Sequence, residues 1–170
     1  MAALGFMFNL RSAATEPPAA GQIAPAFRLR SQDGSAVSLE EFRGKWVLLY
    51  FYPKDNTPGC TIEAHNFQRD LPKYESLNTV VMGVSLDSED SHRSFCTKQG
   101  LTFKLLSDNE KKVAAKYGSL KNMLGIKMSA RNTFLIDPDG KIAKVWMGVS
   151  PSSHSAEVLE ELQEREGKKI

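Results

Sequence analysis

The run Trp46 to Tyr52 (WVLLYFY) constrains this chain more than any other feature. It is short, apolar throughout and rich in strand-favouring residues. A strand with one wet face would alternate with polar residues, so the run reads as a central strand covered on both faces. Thr79 to Leu86 (TVVMGVSL) reads as a second buried strand. Between them, from Cys60 on, Ala64, Phe67, Leu71 and Tyr74 recur every three or four residues, the period of a helix. Pro72 is expected to kink or shorten that helix. Strand, helix and strand in this order form a βαβ unit, hence a layered α/β architecture.

The flanks extend the pattern. Phe27 and Leu29 alternate with Arg28 and Arg30, Asp33-Gly34 signals a hairpin turn, and Val37 and Leu39 continue on its far side. Asp87 or Ser88 caps a helix running to Gln99, and Gly100 ends it. Phe103 to Leu106 is a short strand candidate. Asp108 caps a further helix to Tyr117, ended by Gly118, and Asn122 to Ala130 reads as loop. Thr133 to Ile136 and Ile142 to Met147 are strands joined by the turn Asp137-Pro138-Asp139-Gly140. Ser153 caps a last helix with Ala156, Val158, Leu159 and Leu162 on its apolar face. The final antiparallel hairpin makes the sheet mixed.

Composition removes several classes of function. With 170 residues the chain suits one domain and buries a core without staples. Net charge is only +2 and there is no basic stripe, so a nucleic-acid partner is not expected. No apolar run approaches the roughly 18 residues of a membrane span. Two Cys and three separated His fit neither a disulfide scaffold nor a zinc pattern. Residues 1–20 are expected to be an N-terminal extension, with Thr15 to Pro25 docking loosely, and residues 21–170 to be the domain. Met1 to Leu10 has no basic residue ahead of its apolar stretch and makes a poor signal peptide, so a cytoplasmic protein is expected. The small residues Ser12-Ala13-Ala14 leave the alternative of a trimmed signal and a periplasmic or exported protein.

In mixed sheets of this kind, sites lie beyond the carboxyl ends of the parallel strands. The loop after Tyr52 lies there. It runs Pro53-Lys54-Asp55-Asn56-Thr57-Pro58-Gly59 and delivers Cys60 to a helix start. Unpaired N–H groups and the macrodipole favour an anion at that point, and hence a thiolate. The alternative is a buried structural cysteine, but a loop rich in Pro, Gly, Asp and Asn is not a core environment.

The stretch Pro53 to Cys60 resembles the PxxxTxxC motif of peroxiredoxins, and Tyr50 to Thr61 is similar to the YFYPKDNTPGCT segment of the peroxiredoxin Q or bacterioferritin-comigratory type. The resemblance continues through Leu106-Ser107-Asp108 and Phe134-Leu135-Ile136-Asp137, over roughly Gly21 to Leu162. It implies a thioredoxin-like fold: a central mixed β-sheet flanked by helices, with an N-terminal β-hairpin. It also implies a thiol peroxidase that needs no metal or organic cofactor. Cys60 takes the place of the peroxidatic nucleophile. Thr57 would hydrogen-bond the thiolate and the peroxide oxygens, Pro53 would shield the pocket, Arg131 would keep the sulfur ionised and steady the breaking O–O bond, and Glu63 would orient Arg131. A first-turn acid favoured by the helix dipole explains Glu63 equally well. Many relatives carry the resolving cysteine five residues after the first; here that position is His65, read as a helix-surface residue. Others place it 36 residues on, which fits Cys96. Both cysteines fall in helices, so a disulfide between them requires at least one helix to open.

The expected partners are a peroxide, hydrogen peroxide or an organic hydroperoxide, and thioredoxin or a similar dithiol reductant. The C-terminus, ending Lys168-Lys169-Ile170, has no long arm with a further Cys, so a monomer is expected. Within the enzyme class the alternative is a one-Cys peroxidase with a structural Cys96. Outside it, the alternative is a non-catalytic redox sensor signalling through Cys60. Phe51, Phe95 and Trp146 are candidates for an apolar collar around the site. His92 and His154, near helix starts, receive no role.

Overall fold

The computed structural model describes residues 15–167. The expectations for Met1 to Leu10, for Ser12-Ala13-Ala14 and for the last three residues lie outside them. Seven strands form one mixed sheet in the order β2-β1-β5-β4-β3-β8-β9. β3 (Trp46–Phe51) lies near its middle, parallel to β4 (Thr79–Ser85) and antiparallel to β8 (Thr133–Ile136). β4 is parallel to β5 (Lys104–Ser107), which pairs antiparallel with β1 (Arg28–Ser31); β2 (Ala36–Ser38) and β9 (Ile142–Trp146) close the two edges.

Every residue of β3 is buried, as the apolar run requires. Its alternate side chains enter two different cores. Trp46, Leu48 and Tyr50 face α1 (Pro58–Ser76), α2 (Glu89–Gln99) and α4 (His154–Gly167), while Val47, Leu49 and Phe51 face α3 (Lys112–Lys116) and the N-terminal segment. Both cysteines belong to the first core. Gly83 on β4 makes room for it: a Cβ there would stand 2.8 Å from Tyr50 and from Leu105.

Pro72 lies inside α1, exposed, with four helical residues beyond it. Four local expectations are corrected. Leu39 is not in a strand but opens a short 3-10 helix, Leu39–Phe42. The helix after Asp108 is a single turn, because Lys111 adopts a left-handed φ of 63°; the Asp108 carboxylate still accepts from the N–H groups of Val113 and Ala114. The segment read as loop at Asn122 to Ala130 is mostly a hairpin, β6 (Leu120–Met123) with β7 (Ile126–Ser129), whose side chains are largely exposed and so leave no apolar period to read. Ala156 on α4 faces solvent, whereas Val158, Leu159 and Leu162 are buried.

The stretch Thr15 to Pro25 does not dock loosely. Gly21 N–H donates to the Ile142 carbonyl and Ile142 N–H to that of Gln22, so the chain runs along β9. Pro17 fills the space where a Cβ would stand on Gly118, and the Tyr117 hydroxyl donates to the Pro25 carbonyl. Backbone groups on an edge strand need partners whatever the side chains, and composition does not report that need.

Candidate active site

The loop after β3 delivers Cys60 to the third position of α1, with Thr57 at the N-cap and Pro58 at the first helical position. Pro suits that position, since its missing N–H would have no helical partner there. Cys60 is nevertheless buried, at 2% exposure, in the core it shares with Tyr50, Ala64 and Phe67. The expectation that this loop is not a core environment is therefore corrected. The polar loop residues lie before the helix, and the helix's first turn dips back onto the sheet.

Arg131 reaches this sulfur from 71 residues away: its Nη2 donates to Cys60 Sγ at 3.4 Å. Its Nη1 stands 3.6 Å from the Glu63 carboxylate, one turn farther along α1. Burial pushes the Glu63 carboxyl up to about 7, against the lowering pull of Arg131. Cys60, Arg131 and Glu63 are thus brought together.

Thr57 is adjacent, but its hydroxyl donates to the Lys54 carbonyl at 2.7 Å, closing the loop on itself rather than reaching the sulfur. Pro53 is half buried at the loop's start, and His65 is exposed on α1. Cys96 lies on α2, 7% exposed and, like Cys60, a free thiol. Burial first, and the Asp55 carboxylate second, push its thiol up to about 12. Of the proposed collar, Phe95 and Trp146 belong with the Cys60 core, but Phe51 points through the sheet to the opposite one.

Two contributors to the site, Gly59 and Asn132, escaped the sequence reading, and so did a buried histidine that makes no bond to the sulfur or to Arg131 among the described residues. Gly59 leaves room for the arginine: a Cβ there would stand 3.1 Å from Arg131 Nη2. A poor helix former beside the cysteine was the available signal. Asn132, 2% exposed, fixes the backbone next to Arg131. Its carbonyl accepts from Phe51 N–H, its Oδ1 from Gly148 N–H, and its Nδ2 donates to Ser119 Oγ at 3.0 Å. The histidine is His92. It is fully buried beside Asp55, although its place near a helix start suggested nothing. Asp55, Asp87 and His92 are close enough to surround an ion, but both ring nitrogens of His92 already face oxygen partners. The other helix-start histidine, His154, is also buried, with Nε2 2.8 Å from Thr133 Oγ1.

Comparison with known proteins agrees along most of the chain. The AhpC/TSA family matches residues 20–145. Peroxiredoxin Bcp of Bacillus subtilis is 41% identical over 148 residues, covering 85% of this chain and 94% of that protein. The Xanthomonas campestris bacterioferritin comigratory protein, whose alkyl peroxide reduction activity was studied through trapped intermediate and ligand complexes, superimposes with a TM-score of 0.80 at 34% identity, over 86% of this chain and 99% of its own. Peroxiredoxin Q of the same organism, at 35% identity and a TM-score of 0.80 over 86% of this chain and 98% of its own, was solved as two single Cys-to-Ser variants. The two substituted positions are 36 residues apart, the separation of Cys60 and Cys96 here. With a shared mixed sheet and agreement on this scale, the chain belongs to the AhpC/TSA family as a peroxiredoxin of the Bcp and Q type, a peroxidase.

Proposed function

We propose that Cys60 is the peroxidatic nucleophile and that Arg131 is its electrostatic partner. The observation that carries this reading is the guanidinium seated on Cys60 Sγ at the head of α1. An arginine keeps its charge at any working pH, so it favours the thiolate and then the negative charge that develops on the leaving oxygen. The thiolate attacks the terminal peroxide oxygen, a new S–O bond forms, and the O–O bond breaks. The other oxygen leaves with a proton as alcohol or water, and Cys60 becomes a sulfenic acid. Thr57 has committed its proton to Lys54 and therefore serves as an acceptor for the peroxide O–H. Glu63 orients Arg131 through the 3.6 Å ion pair, and Pro53 covers the loop side.

Cys96 then condenses with the sulfenic acid, water leaves, and a Cys60–Cys96 disulfide remains. A dithiol such as thioredoxin returns it to two thiols. The matching 36-residue separation in the Xanthomonas relative supports this assignment. A reducing, cytoplasmic setting that supplies such a dithiol suits the cycle, and a monomer suffices for it. One observation favours the one-Cys alternative: Cys96 is buried and its thiol is raised to about 12, so it cannot attack from where it stands. The mass of the protein after one equivalent of peroxide decides. A loss of two hydrogens is the expected disulfide; a lasting gain of one oxygen would replace the two-Cys cycle by the one-Cys reading.

A further inference from the structure

Helix α2, which carries Cys96, is weakly held by apolar packing. Of its eleven residues only His92, Phe95 and Cys96 are buried. Much of its remaining hold is polar and gathers at one residue of the active-site loop, Asp55, beside an Arg93–Gln32 hydrogen bond and an Arg30–Glu89 ion pair on its outer side. The Asp55 carboxylate is 4% exposed as a residue and accepts at both oxygens. Tyr52 Oη donates to Oδ1 at 2.6 Å, Ser91 Oγ donates to Oδ2 at 2.8 Å, and His92 Nδ1 stands 2.7 Å from Oδ2. The Asp55 N–H donates to Asp87 Oδ2 at 2.9 Å, and Asp87 leads into α2. On the far side of the ring, His92 Nε2 is 3.0 Å from the Leu106 carbonyl. A carbonyl only accepts, so Nε2 donates to it, and Nδ1 is left facing the Asp55 carboxylate.

The position of this link matters. Asp55 is five residues before Cys60, and His92 is one helical turn before Cys96, so it ties the two cysteine-bearing segments together. Cys96 cannot leave the core unless α2 undocks, and undocking strips His92 from Asp55.

We propose that the buried Asp55–His92 pair is the latch that sets how often α2 opens, and therefore how fast Cys96 captures the Cys60 sulfenic acid. His92 and Asp55 are then positioning residues for the second chemical step and not for the first. The proposal rests on Cys96 being the resolving cysteine. A latched helix keeps Cys60 in its Arg131 pocket for the peroxide step, at the expense of a sulfenic acid that waits longer. Opening also rehydrates Cys96 and moves it from the Asp55 carboxylate, the two causes that hold its thiol high.

The test compares wild type with His92→Gln and with the milder Ser91→Ala, which removes a single hydrogen bond to Asp55. Stopped-flow oxidation of Cys60 is expected to stay within about twofold, because neither residue touches the sulfur. Disulfide formation is expected to speed up about tenfold or more in His92→Gln and a few-fold in Ser91→Ala, the sizes implied by losing a charge-assisted and an ordinary hydrogen bond. Leu162→Ala, which weakens the core from α4 and leaves the network intact, is expected to lower global stability without changing that rate. Amide exchange reads the latch without chemistry: in His92→Gln the α2 amides should exchange about tenfold faster or more, while those of β3 and β4 keep their protection relative to the global stability. Unchanged or slower disulfide formation and unchanged α2 exchange in His92→Gln would overturn the latch, as would an equal acceleration in Leu162→Ala. If wild type forms no Cys60–Cys96 disulfide, the resolving role of Cys96 fails, and faster α2 exchange in His92→Gln would still identify the latch.

Discussion

The two cysteines share one core and both are buried, yet their surroundings differ in kind. Cys60 sits in the first turn of α1 with the Arg131 guanidinium 3.4 Å from its sulfur. Cys96 sits in the body of α2, and the charge that acts on it is the Asp55 carboxylate, which pushes its thiol up further. Both thiols are buried, so burial alone does not tell them apart; a cation stands beside one, and at the other a carboxylate adds to the effect of burial. The magnitudes agree. A helix N-terminus is worth roughly 0.3–2 kcal/mol to an anion. A full cation at such a distance contributes about 5 kcal/mol at an effective dielectric of ~20. Arg131 is the larger influence on the sulfur, with the helix adding to it.

Replacing one member of the pair at a time sharpens that contrast. The largest effect is expected from Cys60→Ser, which leaves the fold intact and lowers peroxide turnover by more than about 10⁴-fold, because a serine hydroxyl is a poor nucleophile at neutral pH. A steady-state assay coupled through thioredoxin, its reductase and NADPH measures this, and it also separates an enzyme from a sensor, which would not turn over. Arg131→Met comes next. Loss of a donor to the developing charge slows Cys60 oxidation about 10²–10³-fold in stopped flow, with little change in melting temperature. An oxidation rate near wild type would remove Arg131 from the site and with it the contrast between the two thiols.

The third effect is on stability. Glu63 has its carboxyl raised from 4.5 to about 7, so the folded chain keeps a proton that the unfolded chain has lost between those values. Its contribution is full below pH 4.5 and is lost as pH rises through about 7. Glu63→Gln is expected to remove that slope, which amounts to about 3 kcal/mol across the window. Urea melts of both proteins at about pH 5 and about pH 8 measure it, and parallel pH profiles would place the Glu63 carboxyl in an ordinary environment. The smallest expected effect on the peroxide step is that of Cys96→Ser, at most about twofold, because the Arg131 guanidinium donates to the Cys60 sulfur and that bond is left intact. The same variant is expected to lose thioredoxin-supported turnover and to over-oxidise at Cys60 on repeated peroxide exposure, read by peptide mapping. A variant still fully recycled by thioredoxin would make Cys96 a core residue.

What the chain's own residues determined begins with Trp46 to Tyr52, whose unbroken apolar character required cover on both faces and hence the layered sheet. The Pro-rich loop and the helical period after it placed Cys60 at a helix start, and Ser88 and Gly100 bounded α2 as capping rules require. These features act over a few residues, so they are legible locally. The exposed β6–β7 hairpin and the docking of residues 15–25 were not legible, because backbone pairing needs no particular side chain. Motif resemblance named Arg131, but only the tertiary structure brought it across 71 residues to the sulfur, made Gly59 the space it occupies, and used Asn132 to hold the backbone beside it. The same holds for His92 and Asp55, separated by 37 residues and meeting in the interior. A local pattern reports what a segment prefers; which charge ends beside which thiol depends on how packed segments meet, and that was decided by the fold.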